Sequence, residues 1–169
     1  GVFWSMHADG TAADSTKHTY NQAFAIYALS SYFLASGKQE AIDRARVLYA
    51  VIENRCRDEG GYLEAFTRTW QGQRNEKLSE NGVMATRTMN TLLHVLEGYT
   101  GLYEATGDPK VKSSLIEILK IWLKHVYNPE LRRQEVFFDH EYQTLIDLHS
   151  FGHDIETSWL CDHTLDVLK

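Results

Sequence analysis

Apolar residues recur with a helical period in the first part of the chain. Between positions 18 and 35 they stand at Tyr20, Phe24, Tyr27, Ala28 and Leu34. Residues with this period share one face of an α-helix, where they can pack together. Gly37 follows, and glycine is common just beyond the C-terminus of a helix. The pattern predicts a helix over 18–35 that ends at Gly37.

The same period returns along the rest of the chain. Apolar stripes predict helices over 39–57, 84–106 and 111–127. Turn-forming residues follow these stripes: Gly60-Gly61, Gly107-Asp108-Pro109 and Asn128-Pro129. Glycine fits the end of a helix and proline the start of the next one. A last helix is expected to begin near Asp154.

The segments between the helix pairs have a different character. Residues 62–75 and 135–151 are polar, rich in aromatic side chains and irregular, which is typical of long loops that carry function on a rigid scaffold. Residues 1–14 alternate large apolar residues with polar ones, so a strand or hairpin leading into a loop is expected there.

Helix, turn, helix and long loop therefore follow one another, and the unit recurs after roughly 70 residues. This order predicts an all-α fold of stacked antiparallel helical hairpins. The 169 residues are enough for one domain with a real core. We expect residues 1–169 to form a single domain.

Composition narrows the possible partners. A hydrophobic fraction of 43% and a charged fraction of 24% are those of an ordinary globular protein. The net charge of -6 argues against a nucleic-acid or anionic membrane surface, because both need clustered Lys and Arg. No apolar run is long enough to span a membrane. Hydrophilic small molecules remain as candidate ligands.

Two cysteines, Cys56 and Cys161, stand far apart, so neither a disulfide framework nor a cysteine-based zinc site is expected. No signal peptide is visible, and a cytoplasmic location is the expectation. The chain begins without Met and stops inside a helical pattern. We expect it to be a central portion of a longer polypeptide.

His153 and Glu156 form the first candidate site. Gly152 precedes His153, which is expected on a loop just before a helix, and Glu156 follows three residues later. A carboxylate at that distance can fix the tautomer of an imidazole and raise its basicity, as a general base requires. The alternative is helix capping with a surface contact.

A second candidate site lies on the helix predicted over 84–106. Arg87, Asn90 and His94 share one stripe there, which is either a polar pocket or a face in contact with water. Tyr20 opens the first helix, where a tyrosine is usually a core residue with its hydroxyl bonded locally.

Metal and cofactor sites are not expected. His149 and His153 have a spacing close to that of metal ligands, but without a helix across Gly152 they need not face the same way. Phosphate-binding glycine loops, nucleophile elbows and dinucleotide fingerprints are absent from the sequence.

Four stretches of the sequence resemble the N-acylglucosamine 2-epimerase superfamily. They are Phe3-Trp4, Tyr20-Asn-Gln-Ala-Phe-Ala-Ile-Tyr-Ala-Leu-Ser30, Arg87-Thr-Met-Asn-Thr-Leu-Leu-His94-Val-Leu-Glu97 and Ser150-Phe-Gly-His-Asp-Ile-Glu156. Within the superfamily the sequence is most similar to the cellobiose 2-epimerases, whose signature is Gly-His-Asp-Ile-Glu. The motifs occur in the family's order and span most of the chain.

The resemblance implies an (α/α)6 barrel, of which this chain would be the central part, and an isomerase of carbohydrate metabolism. Enzymes of the family invert C2 of a reducing-end aldose through an enediolate, with two histidines as base and acid. By position His153 resembles the first of these and Glu156 its orienting partner. Tyr20, Asn90 and His94, with Arg87 beside them, resemble substrate or intermediate contacts.

The sequence departs from the family's pattern at two positions. Arg87 stands where the family commonly has Lys, and Leu92 where it commonly has another His. The second catalytic His and an Arg of an early family helix have no counterpart in these 169 residues. We therefore expect the chain alone not to epimerise cellobiose.

The leading hypothesis is a 2-epimerase acting on a β-1,4-linked disaccharide such as cellobiose, without a cofactor. Alternatives within the superfamily are an aldose–ketose isomerase and an N-acylglucosamine 2-epimerase. An alternative of another class is a non-catalytic helical-repeat binding module. An isolated part of a barrel would expose apolar surface, so self-association of this chain is also expected.

Overall fold

The computed structural model describes residues 1–79 and 82–169, and within these residues five α-helices form most of the fold. They are α1 (Thr19–Ser36), α2 (Gln39–Val51), α3 (Met89–Thr106), α4 (Pro109–Ile121) and α5 (Phe151–Leu168). Both α2 and α4 continue into a π-helical turn, over Ile52–Cys56 and Trp122–Val126. The prediction of helices over 39–57 and 111–127 is confirmed with this change of pitch at the end.

Short strands connect the helices. They are β1 (Ser5–Met6), β2 (Ala12–Asp14), β3 (Lys17–His18), β4 (Ala65–Phe66), β5 (Gly72–Gln73), β6 (Arg87–Thr88), β7 (Tyr127–Asn128), β8 (Arg133–Gln134) and β9 (Phe137–Phe138). The antiparallel pairs are β1–β2, β3–β4, β4–β5, β6–β9 and β7–β8. The hairpin predicted within residues 1–14 is confirmed by β1 and β2.

The second helix pair repeats the first at an offset of about 70 residues. Gly37 and Gly107 end α1 and α3 with φ of 67° and 62°, a left-handed conformation that glycine adopts without strain. The predicted repeat and both glycine helix ends are confirmed.

Two predicted helix starts are wrong. The third helix begins at Met89, because Arg87 and Thr88 pair with β9, and the Thr88 side chain caps α3 by accepting from the amide of Thr91 at 3.0 Å. The last helix begins at Phe151 and not near Asp154, so His153 lies in its first turn and Gly152 is helical.

Helices α1, α3 and α5 lie side by side, with α2 packed on α1 and α4 on α3. Gly98 lets α3 approach α1 closely, since a Cβ there would lie 2.6 Å from the carbonyl oxygen of Ala23. Thr100 and Thr164 join α3 to α5 through their hydroxyls, 2.8 Å apart. The apolar core fills the space between these layers.

The predicted all-α class of stacked helical hairpins is confirmed. None of the helices in the described part of the chain combines the length and apolar character that a membrane span requires.

Candidate active site

The first two turns of α1, α3 and α5 lie at one end of the helix layer. Tyr20 of α1 contacts His94 of α3, and further along Ala23 faces Gly98, so α1 and α3 run in the same direction. On α5, His153 and Glu156 lie at the N-terminal end of the face that buries Leu160 against the core. The fold therefore gathers polar residues from three helix starts.

His94 is held on three sides. Its ring meets Tyr20 edge-on with 5.0 Å between ring centroids and lies 4.5 Å from the ring of Phe24. Its Nδ1 is 2.9 Å from Oε2 of Glu97, one helical turn later. His94 is only 7% exposed. Glu97 was not predicted as a site residue, although its spacing of three residues from His94 is what would have identified it.

Tyr20 connects this group to α5. Burial raises the pKa of the Tyr20 phenol, and the nearby negative charges of Glu156 and Glu97 raise it further. Both carboxylates therefore lie close enough to the phenol to act on it. Tyr20 is held as a neutral hydroxyl that can donate a hydrogen bond.

Asn90 precedes His94 by one turn and is half-buried. Its Oδ1 is enclosed and has no hydrogen-bond donor among the described residues. A buried amide oxygen without a donor is costly, and a ligand hydroxyl placed against it would remove that cost. Of the two alternatives for this stripe, a polar pocket fits better than a face in contact with water.

His153 has a different partner from the predicted one. Its Nδ1 lies 2.7 Å from the hydroxyl of Ser150, and no hydrogen bond to Glu156 occurs within the described residues. The negative charge of Glu156 instead helps to raise the pKa of the Tyr20 phenol. Ser150 is the residue before α5, yet its hydroxyl makes no capping bond because it is engaged by His153. The simple capping alternative is therefore not what the structure shows.

The nearby histidine His149 also has its own partner, since its Nε2 lies 2.5 Å from Oδ2 of Asp154. His149 and His153 thus engage different groups. No cluster of three or more His, Cys, Asp or Glu side chains suited to a metal ion occurs in residues 1–79 and 82–169.

Arg87 does not join the group. It lies in β6 before α3, so the predicted helical stripe is wrong at this position. Its guanidinium donates to both carboxylate oxygens of Asp58 at 2.8 Å and to the carbonyl oxygen of Tyr62 at 3.2 Å, and it is 2% exposed. Its Nε also donates to the carbonyl oxygen of His140 at 3.2 Å, and the bonds to Asp58 and Tyr62 tie the loop after α2 to the start of α3. In this structure Arg87 makes structural contacts, and its predicted contact with substrate stays a prediction.

The first three turns of α1, α3 and α5 together carry two imidazoles, a phenol, an amide and two carboxylates. Imidazoles can carry protons near neutral pH, and the phenol and amide can bind hydroxyl or carbonyl oxygens. The group suits proton transfer on a hydroxylated, uncharged ligand.

Comparisons with known proteins agree with this chemistry. Residues 1–165 match the family described as N-acylglucosamine 2-epimerase (GlcNAc 2-epimerase). The chain is 50% identical to the cellobiose 2-epimerase of Eubacterium cellulosolvens over 99% of its own length and 45% of that protein. It is 51% identical to the cellobiose 2-epimerase of Ruminococcus albus over 99% of its own length and 43% of that protein.

A solved structure, described as a sugar epimerase from a ruminal bacterium, superposes on the chain with a TM-score of 0.98 at 50% identity. The superposition covers 99% of this chain and 43% of the other. The chain thus spans less than half the length of the relatives that it matches.

Proposed function

Since the chain belongs to the N-acylglucosamine 2-epimerase family, we propose that the natural polypeptide carrying this sequence is a sugar 2-epimerase. The proposed substrate is a β-1,4-linked disaccharide such as cellobiose, because the relatives matched at 50% and 51% identity bear the name cellobiose 2-epimerase. We further propose that it acts in carbohydrate metabolism in the cytoplasm. Both cysteines are free, which suits a reducing compartment.

The proposed reaction inverts C2 of the reducing-end aldose after its ring has opened. A base takes the C2 proton, the electron pair moves toward the aldehyde oxygen and an enediolate forms. An acid then returns a proton to C2 on the opposite face. No electrons are gained or lost overall, so no redox cofactor is required.

We assign the roles of base and oxyanion stabilisation to residues of three helices. His153 would carry the proton on one face of the sugar, while His94 and Tyr20 would donate to the oxygen that becomes negative. Asn90 would bind a sugar hydroxyl through its unpaired Oδ1. The second proton carrier is expected outside these 169 residues, so the inactivity of the chain alone also stays a prediction.

The observation that supports this proposal most directly is the contact of Tyr20 with His94, 5.0 Å between centroids, close to the carboxylates of Glu97 and Glu156. A phenol kept neutral beside a carboxylate-bound imidazole is suited to bind a developing oxyanion. An ordinary core tyrosine would not need charged groups from two other helices beside it.

The test uses the complete natural polypeptide with cellobiose in deuterated water. Epimerisation predicts the C2 epimer, an aldose, with deuterium at C2, whereas an aldose–ketose isomerase would give a ketose. His153→Ala should then lower turnover by about 100-fold or more, the usual contribution of a general acid or base. Unchanged biological activity in His153→Ala would favour the non-catalytic binding module.

A further inference from the structure

The Glu97 carboxylate touches the imidazole of His94 and nothing else that can bond to it in the described part of the chain. The distance from Glu97 Oε2 to His94 Nδ1 is 2.9 Å, and the side chains are 14% and 8% exposed. An ionised carboxylate only accepts hydrogen bonds, so His94 must present a proton on Nδ1. The other ring nitrogen, Nε2, then carries a lone pair when the ring is neutral and a proton when the ring is charged.

The environment of His94 leaves one direction open. Tyr20 covers one edge of the ring and Phe24 lies over it at 4.5 Å, while Nδ1 is used by Glu97. Nε2 has no hydrogen-bond partner among the described residues, and it is not a fully enclosed atom either. It is therefore the ring atom available to a ligand at the helix starts.

We propose that Glu97 is a positioning residue for the reaction, which holds His94 in the Nδ1–H tautomer and directs Nε2 at the sugar. In this state neutral His94 accepts from a sugar hydroxyl through Nε2. When His94 takes the proton of that hydroxyl, Glu97 stabilises the imidazolium, which then donates this proton to the enediolate oxygen. Glu97 itself does not touch the substrate.

Helix geometry explains why the pair can be rigid. Side chains in a helix point back toward its N-terminus, so the Glu97 side chain reaches the preceding turn, where His94 lies. The pair is shielded from water on α3, the helix that packs against both α1 and α5. A surface pair with the same spacing would be worth little, whereas this one fixes a ring that is already enclosed by aromatic neighbours.

The first experiment measures the tautomer itself, by long-range proton–nitrogen NMR of the complete natural polypeptide labelled with ¹⁵N-histidine. The signals of His94 are assigned with a His94→Gln sample. The expected result is the Nδ1–H form of His94 at a pH where it is neutral. An Nε2–H tautomer in the unmutated protein would overturn the proposal without any mutation of Glu97.

The second experiment measures turnover, and it depends on the proposed epimerase function. Glu97→Ala should lower kcat by about 10- to 100-fold, the range for removing a partner that orients a functional imidazole, with KM changed less than about threefold. Glu97→Gln keeps an acceptor oxygen but no charge and should fall in between. Glu104→Gln, an exposed site on the same helix, should leave kcat unchanged.

The two experiments separate two kinds of failure. An active protein whose kcat is unaffected by Glu97→Ala refutes the role of Glu97 and leaves the epimerase function standing. A protein that lacks epimerase activity refutes the function, while the tautomer of His94 in the first experiment still decides whether Glu97 positions the ring. A loss of kcat equal in Glu97→Ala and Glu104→Gln would also refute the proposal.

Discussion

The two imidazoles of the candidate site are held by partners of different chemistry. Glu97 can only accept from His94, which leaves His94 one tautomer. The Ser150 hydroxyl can either donate to His153 Nδ1 or accept from it, at 2.7 Å. His153 can therefore exchange tautomers without losing its hydrogen bond. This difference suits His153 to carrying a proton, and it suits His94, once Nε2 is protonated, to donating to an oxygen.

Glu64 is a buried carboxylate with a structural role. It is 3% exposed, and it accepts hydrogen bonds from the amide of Thr88 and the hydroxyl of Thr91, both at 2.7 Å. It thereby ties the loop after α2 to the first turn of α3. Burial raises the pKa of Glu64 to about 7, although these donors act in the opposite direction.

This pKa predicts a pH dependence of stability. In the unfolded chain Glu64 ionises near its ordinary pKa of 4.5, and in the folded chain at about 7, so unfolding releases a proton between these values. The contribution of Glu64 to the free energy of unfolding therefore falls as the pH rises from about 4.5 to about 7. Urea unfolding of the wild type and of Glu64→Gln as a function of pH measures this contribution to the free energy of unfolding.

The comparison with Glu64→Gln is needed because the contribution of His18 to stability changes with pH in the opposite direction. Burial lowers the pKa of His18 from 6.5 to about 4, so its contribution to stability is lost as the pH falls through that range. His18 is present in both proteins and cancels in their difference. Relative to Glu64→Gln, the wild type should be more stable at about pH 5 than at about pH 8. A difference that does not vary with pH would contradict the prediction.

At the scale of the elements, the sequence predicted which segments are helical and where α1 and α3 end better than it predicted where helices begin. The ends at Gly37 and Gly107 follow from local chemistry, because glycine alone adopts φ of 67° and 62° freely. The start of α3 depends on β9, about 50 residues away, which pairs with Arg87 and Thr88. Such a distant partner leaves no mark in the local periodicity.

The close approach of α1 and α3 at Gly98 gives an element-scale prediction. A Cβ at Gly98 would lie 2.6 Å from the carbonyl oxygen of Ala23, so one backbone must move. We expect Gly98→Ala to lower the free energy of unfolding by about 1–3 kcal/mol, as overpacking does. The shift would also disturb the contact of Tyr20 with His94. Chemical denaturation measures the change.

Gly101 provides the matched control on the same helix. A Cβ there would lie 3.7 Å from Cβ of Ser30, an ordinary contact. Gly101→Ala should be neutral or stabilise by up to about 1 kcal/mol, since alanine is the better helix former. Equal destabilisation by Gly98→Ala and Gly101→Ala would show that the close approach is not what limits this site.

At the scale of the whole molecule, the sequence identified most members of the candidate site but not how they are connected. Tyr20, Asn90 and His94 come together because α1 and α3 run side by side, which the repeat implied. The predicted orienting partner of His153 and the predicted helical position of Arg87 differ from the structure. His153 bonds to Ser150 and Arg87 to Asp58, and both pairings depend on where a helix begins, the feature that periodicity determines least well.

The exposed side of α5 bears on how the 169-residue chain behaves in solution. Phe151, Ile155 and Trp159 follow one another every four residues and are 73%, 74% and 55% exposed. They lie on a different side of the helix from Leu160 and Thr164, which are buried against the core. An exposed apolar stripe of this kind is a candidate site of association.

We therefore expect the 169-residue chain expressed alone to self-associate, with a sedimentation coefficient that rises with concentration. Ile155→Glu places a charge in the middle of the stripe and should shift the chain toward monomer, because association would bury that charge without a partner. Leu123→Glu is the control, since Leu123 is 74% exposed but lies outside α5, and it should leave association unchanged. A monomer at every concentration, or an equal effect of both substitutions, would show that the stripe on α5 does not drive assembly.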